Sequence, residues 1–304
     1  MPRLKIVHLS DLHFVTHPVL RRIKSFSGLS GHDPDTKKAL ETAIINLKPD
    51  LLIATGDHST WGDKRSLSDS RQFLLDLATK VGLSHEFVHW VPGNHDILLH
   101  YYVRIPFRGR SHDRIFGETA AAKFLAVAGY KVAIFRFDST LDRSKQWSPL
   151  WPLVGSRGTV SRNSFNQFNS ALQAHPDADD YFKIALIHHH PLPIPYKGHS
   201  DVGLELTTMT NGGTFIAYMQ ESGMNLVLHG HEHYPYSCRY CFDPDRPNLI
   251  IAAAGSACQR SAAFNSFNYL EIAPKNRIVV TEYRCTEVGF RRDVRSTKIF
   301  TFDD

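Results

Sequence analysis

Residues 224–235 read MNLVLHGHEHYP: a short apolar run, Leu226 to Leu228, opens into His229, His231 and His233 at a spacing of two. A run this short and this apolar is the pattern of a strand buried on both faces. Imidazoles gathered at its end suit the carboxyl edge of an open α/β sheet, where such folds build their sites. The same construction recurs along the chain. LKIVHLS (4–10) leads to Asp11 and His13, DLLIATG (50–56) to Asp57, and FVHWV (87–91) through Pro92 and Gly93 to Asn94, His95 and Asp96. KIALIH (183–188) leads into the triplet His188, His189 and His190, closed by Pro191. VAIFRFD (132–138) reads as a further strand without such a residue cluster.

Helical patterns separate these strands. Leu40, Ala43, Ile44 and Leu47 share a face over 36–48, with Asp35 as N-cap and Pro49 as stop. Leu67, Phe73, Leu74, Leu77 and Val81 do so over 66–81, ending at Gly82. Two more helices are expected over 162–174 and 213–221. From 236 to 284, YSCRYCF, LIIAAAG, FNYLEIA and RIVVTEYR read as successive short strands. An alternating β/α part (1–235) followed by a β-rich part (236–304) predicts an α/β fold of two stacked mixed β-sheets flanked by helices, forming one domain over 1–304. Residues 286–304 could add a terminal strand or mediate association.

Composition narrows the class. Hydrophobic residues make up 42% and charged residues 21% of the 304 residues, the balance of an ordinary globular chain. No apolar run reaches the roughly 18 to 20 residues of a bilayer span. The alternating apolar stretch begins within a few residues of Met1, so no signal peptide is expected, and a cytoplasmic location follows. Four cysteines are too few for a disulfide framework, and Cys238 and Cys241, a lone C-x-x-C, are read as buried packing residues. A net charge of +5 favours an anionic substrate. The 18 histidines are the unusual feature, because several fall at strand ends as a metal site requires.

On an extended backbone, residues two apart project from the same face, which places Asp11 with His13 and His231 with His233, and Glu232 opposite. Each piece alone has an ordinary reading: a D-x-H by chance, a Gly-Asp turn, a surface histidine pair. Five at one sheet edge are different, since carboxylates and imidazoles buried together without a cation would each cost several kcal/mol. The donors are carboxylate, amide and imidazole, with no thiolate, which suits manganese, iron or zinc.

The order D-x-H, G-D, G-N-H-D, H-x-P, G-H-x-H, over residues 11 to 233, resembles the calcineurin-like metallophosphoesterase superfamily. That resemblance implies a four-layer αββα sandwich and two metal ions. It further implies that Asp11, His13 and His233 hold one ion, that Asn94, His189 and His231 hold the other, and that Asp57 bridges both. The family histidine usually stands two residues before the proline, which selects His189, with His188 as the alternative. His95 would be the acid beside the leaving group, and Asp96 would orient its loop. His190 and His229 would lie behind the ligands or against the core. His58 departs from the apolar residue frequent there, and either lines the site as a substrate contact or packs.

The implied activity is metal-dependent phosphoester hydrolysis, foremost of cyclic-nucleotide or nucleotide-like diesters. The alternatives are a DNA nuclease and a non-catalytic scaffold of the same fold. The basic, aromatic loop 101–114, with Arg104, Arg108, Arg110 and Arg114, could grip a second phosphate or stack on a base, or simply be solvated. Arg157 could reach substrate or serve the helix entry that follows it.

Overall fold

The computed structural model describes residues 3–16, 31–97, 111–117, 121–140, 157–193 and 208–301, apart from positions 242, 244, 261, 263, 275, 276, 294 and 295. In chain order the strands are β1 (Leu4–Leu9), β2 (Leu51–Thr55), β3 (Val88–Val91), β4 (Ala122–Val127), β5 (Tyr130–Arg136), β6 (Phe182–Leu186) and β7 (Leu226–His229). They continue as β8 (Tyr236–Tyr240), β9 (Leu249–Ala253), β10 (Ser266–Ala273), β11 (Arg277–Thr286), β12 (Gly289–Arg292) and β13 (Lys298–Phe300). The helices are α1 (Pro34–Leu47), α2 (Lys64–Lys80), α3 (Ser111–Phe116), α4 (Arg162–Gln173) and α5 (Gly212–Glu221).

Two mixed sheets result. One runs β12-β11-β10-β1-β2-β3 with β13 added on β11, and the other runs β4-β5-β6-β7-β9-β8. The strands that lead into the histidine and carboxylate motifs pair in parallel: β1 with β2 and β2 with β3 in the first sheet, β6 with β7 in the second. Their carboxyl ends therefore lie at one edge of each sheet.

Strand periodicity explains the layers. In β1, Leu4 and Ile6 face the layer between the sheets, whereas Val7 and Leu9 face the helix side with Leu40, Ile44, Leu74 and Leu77. In β6, Phe182, Ile184 and Leu186 face the inter-sheet layer, whereas Ala185 and Ile187 face Phe168, Phe215, Ile216 and Met219 of α4 and α5. Each central strand is thus apolar on both faces, and a continuous hydrophobic run is the sequence form of that burial. The architecture is helix, sheet, sheet, helix. No helix among the described residues is long and apolar enough to cross a membrane.

Several boundaries differ from the sequence expectation. The N-cap of α1 is Asp33, whose carboxylate accepts from Thr36 N–H at 2.9 Å, and Pro34 takes the first helical position where its missing N–H costs nothing. Asp35 is therefore inside the helix. β4 is absent from the sequence reading: it is an edge strand interrupted by Lys123, with only Leu125 and Val127 buried. Cys238 is only partly buried and Cys241 is exposed, so the C-x-x-C is not a packed pair: it spans the end of the edge strand β8. The 286–304 segment contributes β12 and β13 to the first sheet.

Candidate metal centre

The chain turns sharply as it leaves β1 and β2, and the two exits are stitched together. Asp11 N–H donates to Gly56 O at 3.1 Å, His13 N–H to Asp57 O at 2.9 Å, and Phe14 N–H to His58 O at 3.0 Å. Asp11, His13 and Asp57 have φ of 53°, 50° and 51°, and His231 and His233 have φ of 82° and 55°. Left-handed backbone costs a non-glycine residue about 1–2 kcal/mol, and persists only where the surroundings hold it. The extended geometry expected of D-x-H and G-H-x-H is therefore absent. Successive left-handed turns, not strand alternation, bring these side chains inward.

Two clusters form. In the first, His13 Nε2 and His233 Nε2 are 3.1 Å apart, and Asp11 Oδ1 lies 3.9 Å and 3.2 Å from them. In the second, His188 Nε2 lies 3.1 Å from Asn94 Oδ1, 3.2 Å from His231 Nδ1 and 3.4 Å from Asp57 Oδ2. Asp57 Oδ2 is also 3.8 Å from His13 Nε2, so this one oxygen stands between the clusters. Asp57 Oδ1 is turned away and accepts from His95 N–H at 2.9 Å. His231 and His233, expected on one side together, face different clusters, and Asp11 Oδ2 links them by accepting from His231 N–H at 3.0 Å.

The structure brings His188, not His189, into the second cluster. Pairing with β7 continues past the end of β6, through Ile187 N–H to Leu228 O at 3.1 Å and Gly230 N–H to His188 O at 3.0 Å. His188 thereby keeps the inter-sheet parity of Ile184 and Leu186, and His189 takes the helix-side parity of Ala185 and Ile187. Counting back from Pro191 misses this, because strand register and not the proline decides which ring faces the site. His189 instead pairs through Nδ1 with Ser139 Oγ at 2.7 Å, with its ring 4.5 Å from that of His231.

These residues fit a pair of cations. His188 Nδ1–H donates to Thr55 O at 2.6 Å, which aims Nε2 at two oxygens and another ring nitrogen. Such a convergence of acceptors needs positive charge. Burial disfavours a charged His188, yet the Asp57 charge and hydrogen bond, with Asp11 behind them, outweigh burial and raise the ring to about 9. The neighbouring His13 and His231 are pushed down to about 3 and about 4, first by burial and then by the rings of His95 and His188 respectively. In His233, as in His188, burial is outweighed by a carboxylate, here Asp11, so these two rings hold a proton where a cation would stand, and binding a cation would release it. Asp11, His13, His233 and Asp57 could hold one ion, and Asp57, Asn94, His188 and His231 the other.

His95 sits beside this centre, its ring 4.9 Å from that of His13. Its Nδ1–H donates to Thr60 O at 2.9 Å, which fixes the ring with Nε2 on the far side. Asp96 is buried and accepts from Ser59 N–H at 2.8 Å and Gly93 N–H at 2.9 Å, tying the loops after β2 and β3 together. Gly93 is required there, since a β-carbon would fall inside the Asp57 carboxylate. Thr55 and Thr60 act through backbone carbonyls, which leave no side-chain signature to read in a sequence.

His58 does not line the centre. It is buried against α3, donates from Nε2 to Val91 O at 3.0 Å and packs its ring 4.4 Å from Phe116, because it lies one residue beyond Asp57 and turns to the opposite side. His190 and His229 pack together, rings 4.6 Å apart, and His229 Nε2 meets Tyr236 OH at 3.1 Å. Arg157 is next in the chain to Gly158, where a β-carbon would collide with the His189 ring, so its backbone passes beside His189. Arg104, Arg108 and Arg110 lie outside the described residues, and Arg114 lies on α3.

Comparison with known proteins bears on the fold and the family. The family profile described as calcineurin-like phosphoesterase matches residues 4–235. Among solved structures, a dimetal phosphatase from Danio rerio superposes with a TM-score of 0.63 at 11% identity, covering 99% of this chain and 100% of that one. The purple acid phosphatase from yellow lupin (Lupinus luteus) seeds gives 0.57 at 11% identity, covering 98% of this chain and 54% of that one. The comparison with curated proteins yields no match. At such identities the two structures speak for the fold, which is the four-layer sandwich described above. The profile spans every motif from Asp11 to His233, and this chain belongs to the calcineurin-like phosphoesterase family.

Proposed function

We propose that the protein is a phosphodiesterase that hydrolyses cyclic-nucleotide or nucleotide-like diesters, with residues 1–304 acting as one domain. The observation that supports the two-metal part of this reading is the single oxygen, Asp57 Oδ2, standing 3.8 Å from His13 Nε2 and 3.4 Å from His188 Nε2, as a shared ligand would. When bound, two cations of the manganese, iron or zinc class lower the pKa of a water from about 15.7 toward 7 and offset charge on the phosphoryl oxygens. Water attacks phosphorus in line with the scissile P–O bond, and the leaving oxygen takes a proton as that bond breaks.

His95 is the proton donor in this scheme. Its Nδ1–H is committed to Thr60 O, so in the imidazolium form only the proton on Nε2 can be given up. The His95 N–H bond to Asp57 Oδ1 holds that carboxylate in one rotamer, which keeps Oδ2 between the clusters. Asp96 fixes the loop that presents both Asn94 and His95. A contact from Arg157 to a phosphate oxygen is part of this proposal, and a net charge of +5 favours approach of an anion. The free cysteines at 238, 241, 258 and 285 agree with a cytoplasmic location.

The test is turnover by the metal-reconstituted protein against bis-p-nitrophenyl phosphate, p-nitrophenyl phosphate, 3′,5′-cyclic AMP and single-stranded DNA. The diester reading requires the first and third to exceed the second. A preference for the monoester overturns it, cleavage of DNA alone points to a nuclease, and a metal-loaded protein inactive on all four points to a scaffold.

A further inference from the structure

A second group of buried ligand-type side chains lies apart from the centre described above. His58 follows β2, Asp96 lies in the 3-10 turn His95–Ile97 after β3, and His112 is in α3. Their exposures are 0%, 0% and 3%, and one ligand atom from each lies within 4.8 Å of the other two. Three distant segments converge here on two imidazoles and a carboxylate.

The hydrogen bonding is incomplete on the side where they meet. His58 Nε2–H donates to Val91 O at 3.0 Å, so Nδ1 carries the lone pair, and that buried atom has no hydrogen bond. Neither ring nitrogen of His112 has one either, the nearest carboxylate being Asp113 Oδ1 at 3.5 Å from Nδ1. Each buried polar atom left so costs about 1–3 kcal/mol. Asp96 accepts from Ser59 and Gly93, but an ionised carboxylate offers about four lone-pair directions and keeps some in reserve. The two rings are 5.6 Å apart between centroids and inclined by 27°, and Phe116, stacked on His112 and tilted on His58, packs in turn against Trp90. Phe116 supplies no polar group to satisfy the nitrogens, and the buried Trp90 indole N–H makes no hydrogen bond to them.

We propose that His58, Asp96 and His112 form a third cation site, for a divalent transition metal of the zinc class. Two imidazole nitrogens and one carboxylate oxygen, with no sulfur, form the donor set such ions take, and three protein ligands leave a position for water. The burial favours the ion over the alternative of a neutral histidine pair packed on Phe116. An ion there would tie α3 to Asp96, whose carboxylate already fixes Ser59 and Gly93, so its role is to position the loop bearing Asn94 and His95. The proposal does not depend on which phosphoester is cleaved.

The experiment is a metal count on the full chain. Protein stripped by chelator, reloaded with excess Zn²⁺ and desalted is expected to hold three ions, and crystals at the zinc edge to show an anomalous peak among His58, Asp96 and His112. His112→Phe, which keeps an aromatic ring beside Phe116, is expected to hold two and lose that peak. His188→Ala combined with His233→Ala is expected to keep the third ion while losing the dinuclear pair. Two ions in the parent with no peak at this position, or three ions remaining in a folded His112→Phe protein, overturns the proposal. The anomalous map of the parent decides the matter if His112→Phe does not fold.

Discussion

His188 and His189 extend the two faces of β6 beyond its last paired residue, and the exchange of one for the other in the ligand shell has a measurable consequence. His188→Ala is expected to lose one bound ion per chain relative to the parent, whereas His189→Ala keeps it and loses the Ser139 hydrogen bond and the ring packing on His231. Metal analysis of both variants checks this, and equal losses would show that register does not select the ligand. Asp57→Ala removes the oxygen placed between the clusters and is expected to abolish turnover and the binding of the dinuclear pair. His95→Ala leaves the ligand atoms in place, so it should keep its metals and lose about 10²- to 10⁴-fold in rate on esters with poor leaving groups. On p-nitrophenyl esters, whose leaving group needs little protonation, the loss should be much smaller. The ratio of the two substrates is the measurement, and an unchanged ratio removes His95 from the role of acid.

At the scale of elements, the site depends on loops that are short and held by their own backbones. The turn after β3 is fixed by Asp96 and passes so close to Asp57 that only glycine fits at position 93. Gly93→Ala is expected to cost about 1–3 kcal/mol and to weaken metal binding, because relieving the collision displaces either the loop or the bridging carboxylate. Asp63→Ala is the contrasting change. It deletes the N-cap of α2, where the carboxylate accepts from Ser66 N–H at 3.0 Å, and should cost about 1 kcal/mol with metal content unchanged. Urea unfolding with metal counts on both variants separates local stability from site geometry. The strands feeding these loops were legible as apolar runs. The loop conformations were not, because positive φ at Asp11, His13, Asp57, His231 and His233 comes from contacts between loops far apart in sequence.

For the whole molecule, the buried histidines couple stability to acid. His89 on β3 faces the inter-sheet layer, and burial, then the charges of Arg136 and Lys123, push it down to about 3. The unfolded chain protonates this residue near pH 6.5, whereas the folded chain refuses the proton until far lower. Its contribution is therefore complete above about pH 6.5 and is lost as pH falls toward 3, at about 1.4 kcal/mol per pH unit. Replacing it by a residue that does not titrate, His89→Gln, should make stability fall less steeply with pH between about 6 and 4, the other buried histidines keeping the rest of the slope. Denaturation midpoints of parent and variant at pH 7 and pH 5 provide the check, and parallel lines would show that His89 does not resist protonation in the folded state.

Local chemistry determined much of this protein before any coordinates. Apolar runs of strand length, helices with one apolar face, and carboxylates and imidazoles at strand ends are written residue by residue, because burial and ligand chemistry act on each side chain where it stands. Tertiary structure alone decided that His188 and not His189 joins Asp57 and His231, that His58 turns away to meet Asp96 and His112, and that Asp57 presents one oxygen to both clusters. Those outcomes depend on how a strand end is paired and how separate loops hold each other's backbones, and both are set by groups that lie tens to hundreds of residues away along the chain.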